Sequence, residues 1–245
     1  MRKAKRTMKF AIIAAGEGSR LSQEGVMMPK PLVTLNGEPM VERLVRIFNE
    51  NGAEEIVIIV NTLHPQTEQY LRERAAHGKN GEAPIRLVVK TTPSSMHSFY
   101  ELSAWLKDGP FCLTTVDTVF RENEFSAYVR AFKQSDCDGF MAVTDFIDDE
   151  KPLYVATNSD LGITGFHDRK EEDCRYISGG IYCLRPSAIA TLHRCMAEGQ
   201  SRMRNFQRGL ISDGLRLQAC VFSKILDVDH VGDIAKAEAF LKNSY

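Results

Sequence analysis

Apolar residues follow two patterns along the chain: short continuous runs, and longer stretches in which they recur three and four positions apart. Runs of the first kind are rich in β-branched residues and predict buried strands. They lie at 10–15, 56–60, 85–89 and 111–116. The second pattern predicts amphipathic helices between these strands. The helices are expected at 41–50, 65–76, 96–106 and around 125–132. Strands that alternate with helices are typical of a parallel sheet covered on both faces.

The second half of the chain departs from this alternation. Four consecutive runs predict strands with no helix between them, at 139–143, 153–156, 163–166 and 176–184. A helix near Pro186, a strand at 224–228 and a helix at 232–241 follow. Part of the sheet is therefore expected to be antiparallel. We predict an α/β fold with a doubly wound, mostly parallel mixed sheet, helices on both faces and a Rossmann-like arrangement.

Two further features concern the predicted elements. The only tryptophan, Trp105, shares the apolar face of the 96–106 helix with Phe99 and Leu102 and is expected in the core. The basic, glycine-punctuated stretch at 198–214 fits neither pattern. At 245 residues the chain could form one large domain or two small ones, and we favour a single domain over 1–245.

Charge and composition narrow the classes of partner. The net charge is -1, from 31 basic and 32 acidic residues, so no global field favours nucleic acid or an anionic membrane. We expect neither partner, and any anion site must be local. No apolar run approaches the roughly 18 residues of a membrane helix.

The compartment is expected to be the cytoplasm. The basic start MRKAKRT leads into an apolar run that stops at Gly16, which indicates a first strand rather than a secretory signal. The six cysteines form no C-x-x-C pair or zinc-site spacing, so they are expected to be buried thiols in a reducing environment.

The richest local chemistry follows the first strand, in AIIAAGEGSRLSQEGVMMPKPL. Gly16 and Gly18 permit positive φ and a close approach of backbone N–H groups to phosphate oxygens, and Arg20 adds a cation. Lys30 stands between two prolines, which restrict where its ammonium can reach. The alternatives are a tight turn with a solvated arginine, and a surface lysine.

Two common phosphate-binding motifs do not fit this loop. No G-x-x-x-x-G-K-[ST] sequence occurs, which excludes a Walker loop. A dinucleotide fingerprint needs a third glycine at position 21, where this chain has Leu21.

The letters A-A-G-x-G-S-R-L, then seven residues, then P-K-P-L resemble the signature of the nucleotidyltransferases that join a nucleoside triphosphate to a sugar-1-phosphate or a related phosphorylated metabolite. The resemblance implies a nucleotidyltransferase fold in which Arg20 and Lys30 neutralise phosphate charge during catalysis. It also implies a group of residues that wraps the triphosphate. These are Ala14, Ala15, Gly16, Gly18 and Ser19.

The resemblance further implies a Mg²⁺ site made by two aspartates at strand ends. L-T-T-V-D supplies Asp117, and I-L-D-V-D supplies Asp227. Because strand side chains alternate, Asp229 projects to the same side as Asp227, so either could be the second ligand; we favour Asp227. The alternative for Asp117 is a helix cap.

The family's other segments match less closely. T-T-P-S-S-M-H-S offers Ser95, with Ser94 and Ser98 as further candidates for contacts to the base, and His97 is more often structural in such a position. The family's E-K-P after G-F is replaced by G-F-H-D-R-K, so Asp168 and Arg169 would contact the acceptor. In I-S-G-G-I-Y, Gly179 and Gly180 either let the backbone approach the sugar or kink the sheet.

The implied activity is Mg²⁺-dependent transfer of a nucleoside monophosphate from an NTP to a phosphorylated acceptor, with release of pyrophosphate. A sugar-1-phosphate is the first expectation for the acceptor, within sugar nucleotide biosynthesis. The alternatives are a cytidylyltransferase acting on a phosphoalcohol such as phosphocholine, and a non-catalytic nucleotide-binding regulatory protein of the same fold. A dinucleotide-dependent oxidoreductase is disfavoured by Leu21, and a homodimer is left open.

Overall fold

Helices cover both faces of a nine-stranded sheet in the computed structural model, which describes residues 7–78, 80–148 and 151–242. The strands in these ranges are β1 Met8–Ala14, β2 Thr34–Leu35, β3 Glu38–Pro39, β4 Ala53–Val60, β5 Ile85–Val89, β6 Phe111–Thr115, β7 Thr118–Val119, β8 Gly139–Thr144, β9 Tyr154–Thr157, β10 Ile163–His167, β11 Cys174–Leu184, β12 Leu217–Val221 and β13 Leu226–Asp227. The helices are α1 Ser19–Gln23, α2 Met40–Glu50, α3 Pro65–Ala76, α4 Ser95–Ser103, α5 Glu122–Gln134, α6 Ser187–Ala197, α7 Met203–Ser212 and α8 Val231–Lys242.

The sheet is parallel at its centre and antiparallel where the second half of the chain joins it. Strands β5, β4, β1 and β6 lie side by side and parallel. The long strand β11 then runs antiparallel to β6, and it also pairs with β8 and β9. The predicted fold class, a doubly wound mixed sheet, is confirmed.

Alternation along β1 shows how one strand supplies two cores. Phe10 and Ile12 face the layer that contains α2, α5 and α8, and Phe10 stacks on Phe48 with ring centroids 4.6 Å apart. Ala11 and Ile13 face the opposite layer, which contains α4, α6 and α7. Because both faces are covered, the strand is apolar throughout rather than alternating, and its polar chemistry is confined to the loop at its end.

The prediction for Trp105 was wrong. Helix α4 ends at Ser103, and beyond that point the helical spacing no longer sets which face a residue occupies. Leu106 stays buried, whereas Trp105 is 40% exposed and carries the guanidinium of Arg86 4.1 Å above its ring. The apolar pattern predicted which residues are buried only as far as the helix extends.

Other elements differ in extent from their prediction. The stretch at 198–214, which fitted neither pattern, contains α7, and Phe206 and Leu210 of that helix are buried. The last strand has two residues instead of five. The basic start at 1–6 lies outside the described residues. Among the helices of the described ranges, none is both long enough and apolar enough to cross a membrane.

The six cysteines are free thiols, as predicted, although they are not all buried. Cys112, Cys174, Cys183 and Cys195 are buried. Cys137 and Cys220 are partly exposed.

Candidate active site

Two clefts meet at the carboxyl ends of the central strands. The first, called here the glycine-loop cleft, has a volume of about 440 Å³ and lies beyond β1 and β6. It brings together most of the residues predicted to bind nucleotide or to act in catalysis. Those that line it are Ala14, Ala15, Gly16, Gly18, Ser19, Arg20, Lys30, Ser94, Ser95, Ser98, Asp117 and Asp229.

The two glycines of the loop differ in what they require. Gly18 has a φ of +63°, and a Cβ built on it would lie 3.1 Å from the Cβ of Lys30. Gly16 has no positive φ, and nothing lies within 4 Å of a Cβ built there. The expected positive φ is therefore found only at Gly18, whereas Gly16 leaves open space at the wall of the cleft.

Lys30 lies at the centre of the site. A single 3₁₀ turn, Lys30–Leu32, begins at this residue between the two prolines. Its Nζ is 2.5 Å from Asp117 Oδ2 and 2.7 Å from Asp229 Oδ1, and its side chain is only 11% exposed. Burial opposes the charge, but the two carboxylates outweigh it and raise the pKa of Lys30. Lys30 is therefore a fixed ammonium and not a solvated surface lysine.

The glycine loop is tied to the end of the chain by two further contacts. Arg20 Nη1 lies 2.8 Å from Asp229 Oδ2. Glu24 accepts hydrogen bonds from the backbone N–H of Val231 and from the ring of His230. These contacts hold Arg20 beside the carboxylate that Lys30 also contacts.

The carboxylates Asp117 and Asp227 are brought together by a short antiparallel ladder. β13 pairs with β7 so that Asp227 lies opposite Thr118, and the N–H of Val228 donates to the carbonyl of Asp117 over 3.1 Å. A strand follows Asp117 and α5 begins only at Glu122, so the alternative of a helix cap at Asp117 was wrong.

Asp227 differs from its neighbours because it forms no ion pair with any described residue. By surface area its side chain is exposed to solvent, and it lies close to two other carboxylates. Partial desolvation by the surrounding groups, together with the charges of Asp117 and Asp229, raises the pKa of Asp227 to about 7.

The donor set suits a hard divalent cation that completes its shell with substrate oxygens. Within the described ranges no three His, Cys, Asp or Glu side chains converge to enclose a metal ion. Mg²⁺ is commonly bound by one or two carboxylates together with waters and phosphates, so a full protein cage is not required. Both oxygens of Asp229 already contact cations, which leaves Asp117 and Asp227 as the pair that fits.

The second cleft, of about 410 Å³, adjoins the first, and Arg20 and Asp229 line both. Its other polar and aromatic lining residues are Thr144, Phe146, Asp148, Lys151, Ser178, Asp227, His230, Asp233 and Lys236. The ammonium of Lys224 lies 4.0 Å from the ring centroid of Phe146, so a cation of the chain itself occupies one face of this ring. Apart from Asp227, Asp229 and Arg20, sequence reasoning missed these residues; the polar residues directly after β8 were a signal that could have found some of them.

Asp168 and Arg169 line neither cleft. Asp168 contacts Arg204 at 2.5 Å and Arg208 at 2.8 Å, and these guanidinium groups, Arg208 first, lower its pKa. The exposed carboxylate thus joins β10 to α7. Their assignment to the acceptor stays a prediction that this geometry does not favour.

The two glycines of β11 lie at an irregularity between Ser178 and Tyr182. Gly180 has a φ of +73°, and a Cβ on Gly179 would collide with Ile225. Gly179 lines the second cleft and Gly180 does not. The kink is present, and it leaves the backbone open to the cleft at Gly179, so the two readings are compatible.

The serines after β5 have structural partners of their own. Ser94 caps α4, contacts the ring of His97 at 2.9 Å and donates to the carbonyl of Ser201. The Oγ atoms of Ser98 and Thr92 are 2.6 Å apart. His97 therefore supports the cap, which agrees with a structural role.

Comparison with known proteins agrees with this geometry. The sequence profile of the MobA-like NTP transferase domain matches residues 10–212. The choline-phosphate cytidylyltransferase of Streptococcus pneumoniae is 24% identical, over 96% of this chain and 99% of its own length. The glucose-1-phosphate cytidylyltransferase of Salmonella typhi is 22% identical, over 74% of this chain and 77% of its own.

Among solved structures, the inositol-1-phosphate CTP transferase from T. maritima superposes with a TM-score of 0.77 at 16% identity. The superposition covers 96% of this chain and 98% of that one. At this identity the likeness establishes the fold alone. The family profile, in contrast, spans most of the sequence, including the glycine loop, Lys30 and Asp117. The chain therefore belongs to the MobA-like NTP transferase domain family and is a nucleotidyltransferase.

Proposed function

We propose that the protein, acting as one catalytic unit over 1–245, transfers CMP from CTP to a small phosphorylated alcohol and releases pyrophosphate. One observation carries this proposal. Lys30, Arg20 and Asp229 stand where a cleft with a glycine loop joins a second cleft. A reaction between two phosphate-bearing molecules needs such a junction.

The chemistry is an in-line attack. A phosphate oxygen of the acceptor bonds to the α-phosphorus of CTP, while the bond from that phosphorus to the bridging oxygen of the β-phosphate breaks. Both reactants are anions, so Lys30 and Arg20 lower the cost of bringing them together. No protein nucleophile is needed, because the acceptor supplies the attacking oxygen.

Mg²⁺ is the metal that we propose for Asp117 and Asp227. When bound, it would neutralise phosphate charge and orient the triphosphate. The carboxylate of Asp227 forms no ion pair with any described residue, which supports this choice, since a cation beside it relieves the repulsion from Asp117 and Asp229. Asp229 instead keeps Lys30 and Arg20 in place.

The proposal of CTP rests on the relatives. Both curated relatives described above are named as cytidylyltransferases, and one of them matches nearly the whole chain. The base end of the glycine-loop cleft has Thr92, Ser94, Ser95 and Ser98, whose hydroxyls can both donate and accept hydrogen bonds.

For the acceptor, the second cleft favours an alcohol that carries an ammonium group, such as phosphocholine. Its lining includes the aromatic ring of Phe146, and it also includes Asp148 and Asp233, whose carboxylates pair with Lys236 in this structure. Aromatic faces bind quaternary ammonium groups. A sugar-1-phosphate is the second candidate, because Thr144 and Ser178 offer hydroxyls to a sugar and one relative is named for glucose-1-phosphate.

The test is a pyrophosphate-release screen in which the four NTPs are crossed with phosphocholine, phosphoethanolamine, glucose-1-phosphate and mannose-1-phosphate, with and without Mg²⁺. We expect release with CTP and phosphocholine that depends on both the acceptor and the metal. Release with every NTP in the absence of any acceptor, or no release from any pair, would contradict the proposal.

A further inference from the structure

Asn61 is a buried amide at the back of the glycine loop. It directly follows β4 and is 2% exposed. Its Nδ2 donates to the carbonyls of Ala15, over 3.3 Å, and Gly16, over 3.0 Å. Its Oδ1 accepts from the backbone N–H groups of Leu63 and His64, over 3.1 and 3.2 Å. Both the amide nitrogen and the amide oxygen of this buried side chain therefore have hydrogen-bond partners. The two bonds from the nitrogen go to the glycine loop, the proposed phosphate-binding segment.

The side chain of His64 contacts the next carbonyl of the glycine loop, on the same side of the loop as Asn61. His64 Nε2 lies 3.2 Å from the carbonyl oxygen of Glu17. Three consecutive carbonyls, of residues 15, 16 and 17, are thus directed at side chains from the loop that follows β4. This loop is in turn joined to the base-side segment, because Thr62 and Thr91 hydroxyls lie 2.7 Å apart.

The planar peptide bond also determines the direction in which the N–H groups of the glycine loop point. In a planar trans peptide, the C=O of one residue and the N–H of the next point in opposite directions. With the carbonyls of Ala15, Gly16 and Glu17 held at Asn61 and His64, the N–H groups of residues 16, 17 and 18 point away from them. All three residues line the glycine-loop cleft.

We propose that Asn61 is a positioning residue that sets the polarity of the glycine loop, holding its carbonyls back so that its N–H groups face the triphosphate. The inference rests on the proposed nucleotide site. It assigns to Asn61 an effect on triphosphate affinity and none on base recognition, since the amide touches only the backbone of the phosphate loop. Without its donor, the carbonyl dipoles are free to turn toward the cleft, where they repel phosphate.

Asn61→Asp removes the donor but also adds a negative charge near the phosphate site, so it is paired with His64→Ala, which frees the carbonyl of Glu17 without adding a charge. The carboxylate keeps the shape and both acceptor bonds to Leu63 and His64, but it offers no donor to the two carbonyls. Asn49→Asp is the matched control. Asn49 makes the same kind of contacts, donating to the carbonyl of Val45 over 2.9 Å and accepting from the N–H of Ala83 over 2.7 Å, on α2 and outside both clefts.

The measurement is calorimetric titration of the wild type and both variants with CTP and with cytidine, which carries no phosphate. We expect Asn61→Asp to raise the Kd for CTP about tenfold or more and to leave that for cytidine within about twofold, while Asn49→Asp changes neither. An equal loss of both ligands, or an unchanged Kd for CTP, would overturn the inference.

If Asn61→Asp does not fold, His64→Ala tests the same point. It frees only the carbonyl of Glu17, and we expect a rise of about threefold in the Kd for CTP with none for cytidine; no rise overturns the inference. A wild type that binds none of the four NTPs contradicts the proposed function itself. Wild-type binding that Asn61→Asp leaves intact contradicts only the role of Asn61.

Discussion

Lys30 joins carboxylates that come from distant parts of the chain. Asp117 follows β6 and Asp229 follows β13, so the short ladder between β7 and β13 has to form before the ammonium meets both. The sequence indicated Lys30 through its two prolines. It could not indicate which carboxylates the lysine contacts, because those contacts depend on how the last strand docks.

Lys30→Ala is the first prediction. Removing the ammonium leaves two phosphate-bearing reactants without their central cation, so kcat should fall by about 100-fold or more. Lys9→Ala is the matched control, because Lys9 is similarly buried at 15% exposure and contacts Glu55 over 3.2 Å, but it lies at the opposite end of β1. Steady-state kinetics should show little change for Lys9→Ala, and equal losses in both variants would contradict a catalytic role for Lys30.

Replacing each of the two loop glycines by alanine should affect stability and kinetics differently. Gly18→Ala meets both an unfavourable φ and the Cβ of Lys30, so it should lower stability by about 1–2 kcal/mol and also lower kcat. Gly16→Ala meets neither, so it should keep its stability and raise the KM for CTP, because its methyl group enters the cleft. Denaturant unfolding and steady-state kinetics distinguish the two outcomes. The same changes in stability and kinetics in both variants would contradict the different conformations described for Gly16 and Gly18.

Asp227 gives a pH-dependent prediction for the metal-free protein. An acid with a raised folded-state pKa, here about 7, holds a proton that the unfolded chain loses near pH 4, so its contribution to stability is lost as the pH rises from 4 to 7. In EDTA, Asp227→Asn should therefore have a higher Tm than the wild type, and its advantage should be larger at pH 8 than at pH 5. Mg²⁺ at pH 8 should raise the Tm of the wild type more than that of the variant. A difference in Tm between Asp227→Asn and the wild type that does not grow with pH would contradict the raised pKa of Asp227.

At the scale of elements, the apolar pattern located the helices and strands but misplaced the ends of some of them. The bounds of α3 and β5 match the predicted ranges residue for residue, because Pro65 begins the helix and all five residues of β5 pair with β4. α4 stops before Trp105, and β13 is shorter than its apolar run. Each element ends where its backbone hydrogen bonds end, and the hydropathy of the side chains does not indicate that position.

Most of the other residues lining the second cleft could not be grouped into one site from the sequence, for a related reason. Phe146, Ser178 and Lys236 belong to three different elements or loops, and no local spacing connects them. The sequence placed the acceptor at Asp168 because that segment aligned with a family motif. In the structure this aspartate joins β10 to α7 through two arginines, and its contact with the acceptor stays a prediction.

This difference gives a prediction about Asp168. Asp168→Ala should lower the Tm slightly, because its ion pairs are exposed, and should leave the KM for the acceptor within about twofold. Ser178→Ala is the contrasting variant, since Ser178 lines the second cleft and its Oγ donates to Gln207 over 2.8 Å; it should raise the acceptor KM severalfold. The reverse ranking of the two variants in acceptor kinetics would place the acceptor at Asp168 after all.

At the scale of the whole molecule, function follows from where the parallel and antiparallel halves of the sheet meet. The parallel half ends in the glycine loop and Asp117, and the strands of the second half build the other cleft beside it. The fold class was predictable from alternating apolar patterns. The existence of two clefts was not, since it depends on how β11, β13 and the glycine loop pack together.

Phosphorus NMR of a single reaction tests the central claim most directly, that the junction at Lys30 joins a nucleotide to a phosphorylated acceptor. The protein is incubated with CTP, phosphocholine and Mg²⁺, and the phosphorus species are followed over time. The account predicts pyrophosphate and a diphosphate diester of cytidine and the acceptor in equal amounts, formed by the wild type and Lys9→Ala but not by Lys30→Ala. Orthophosphate and CDP in their place, or a diester formed at the wild-type rate by Lys30→Ala, would contradict it.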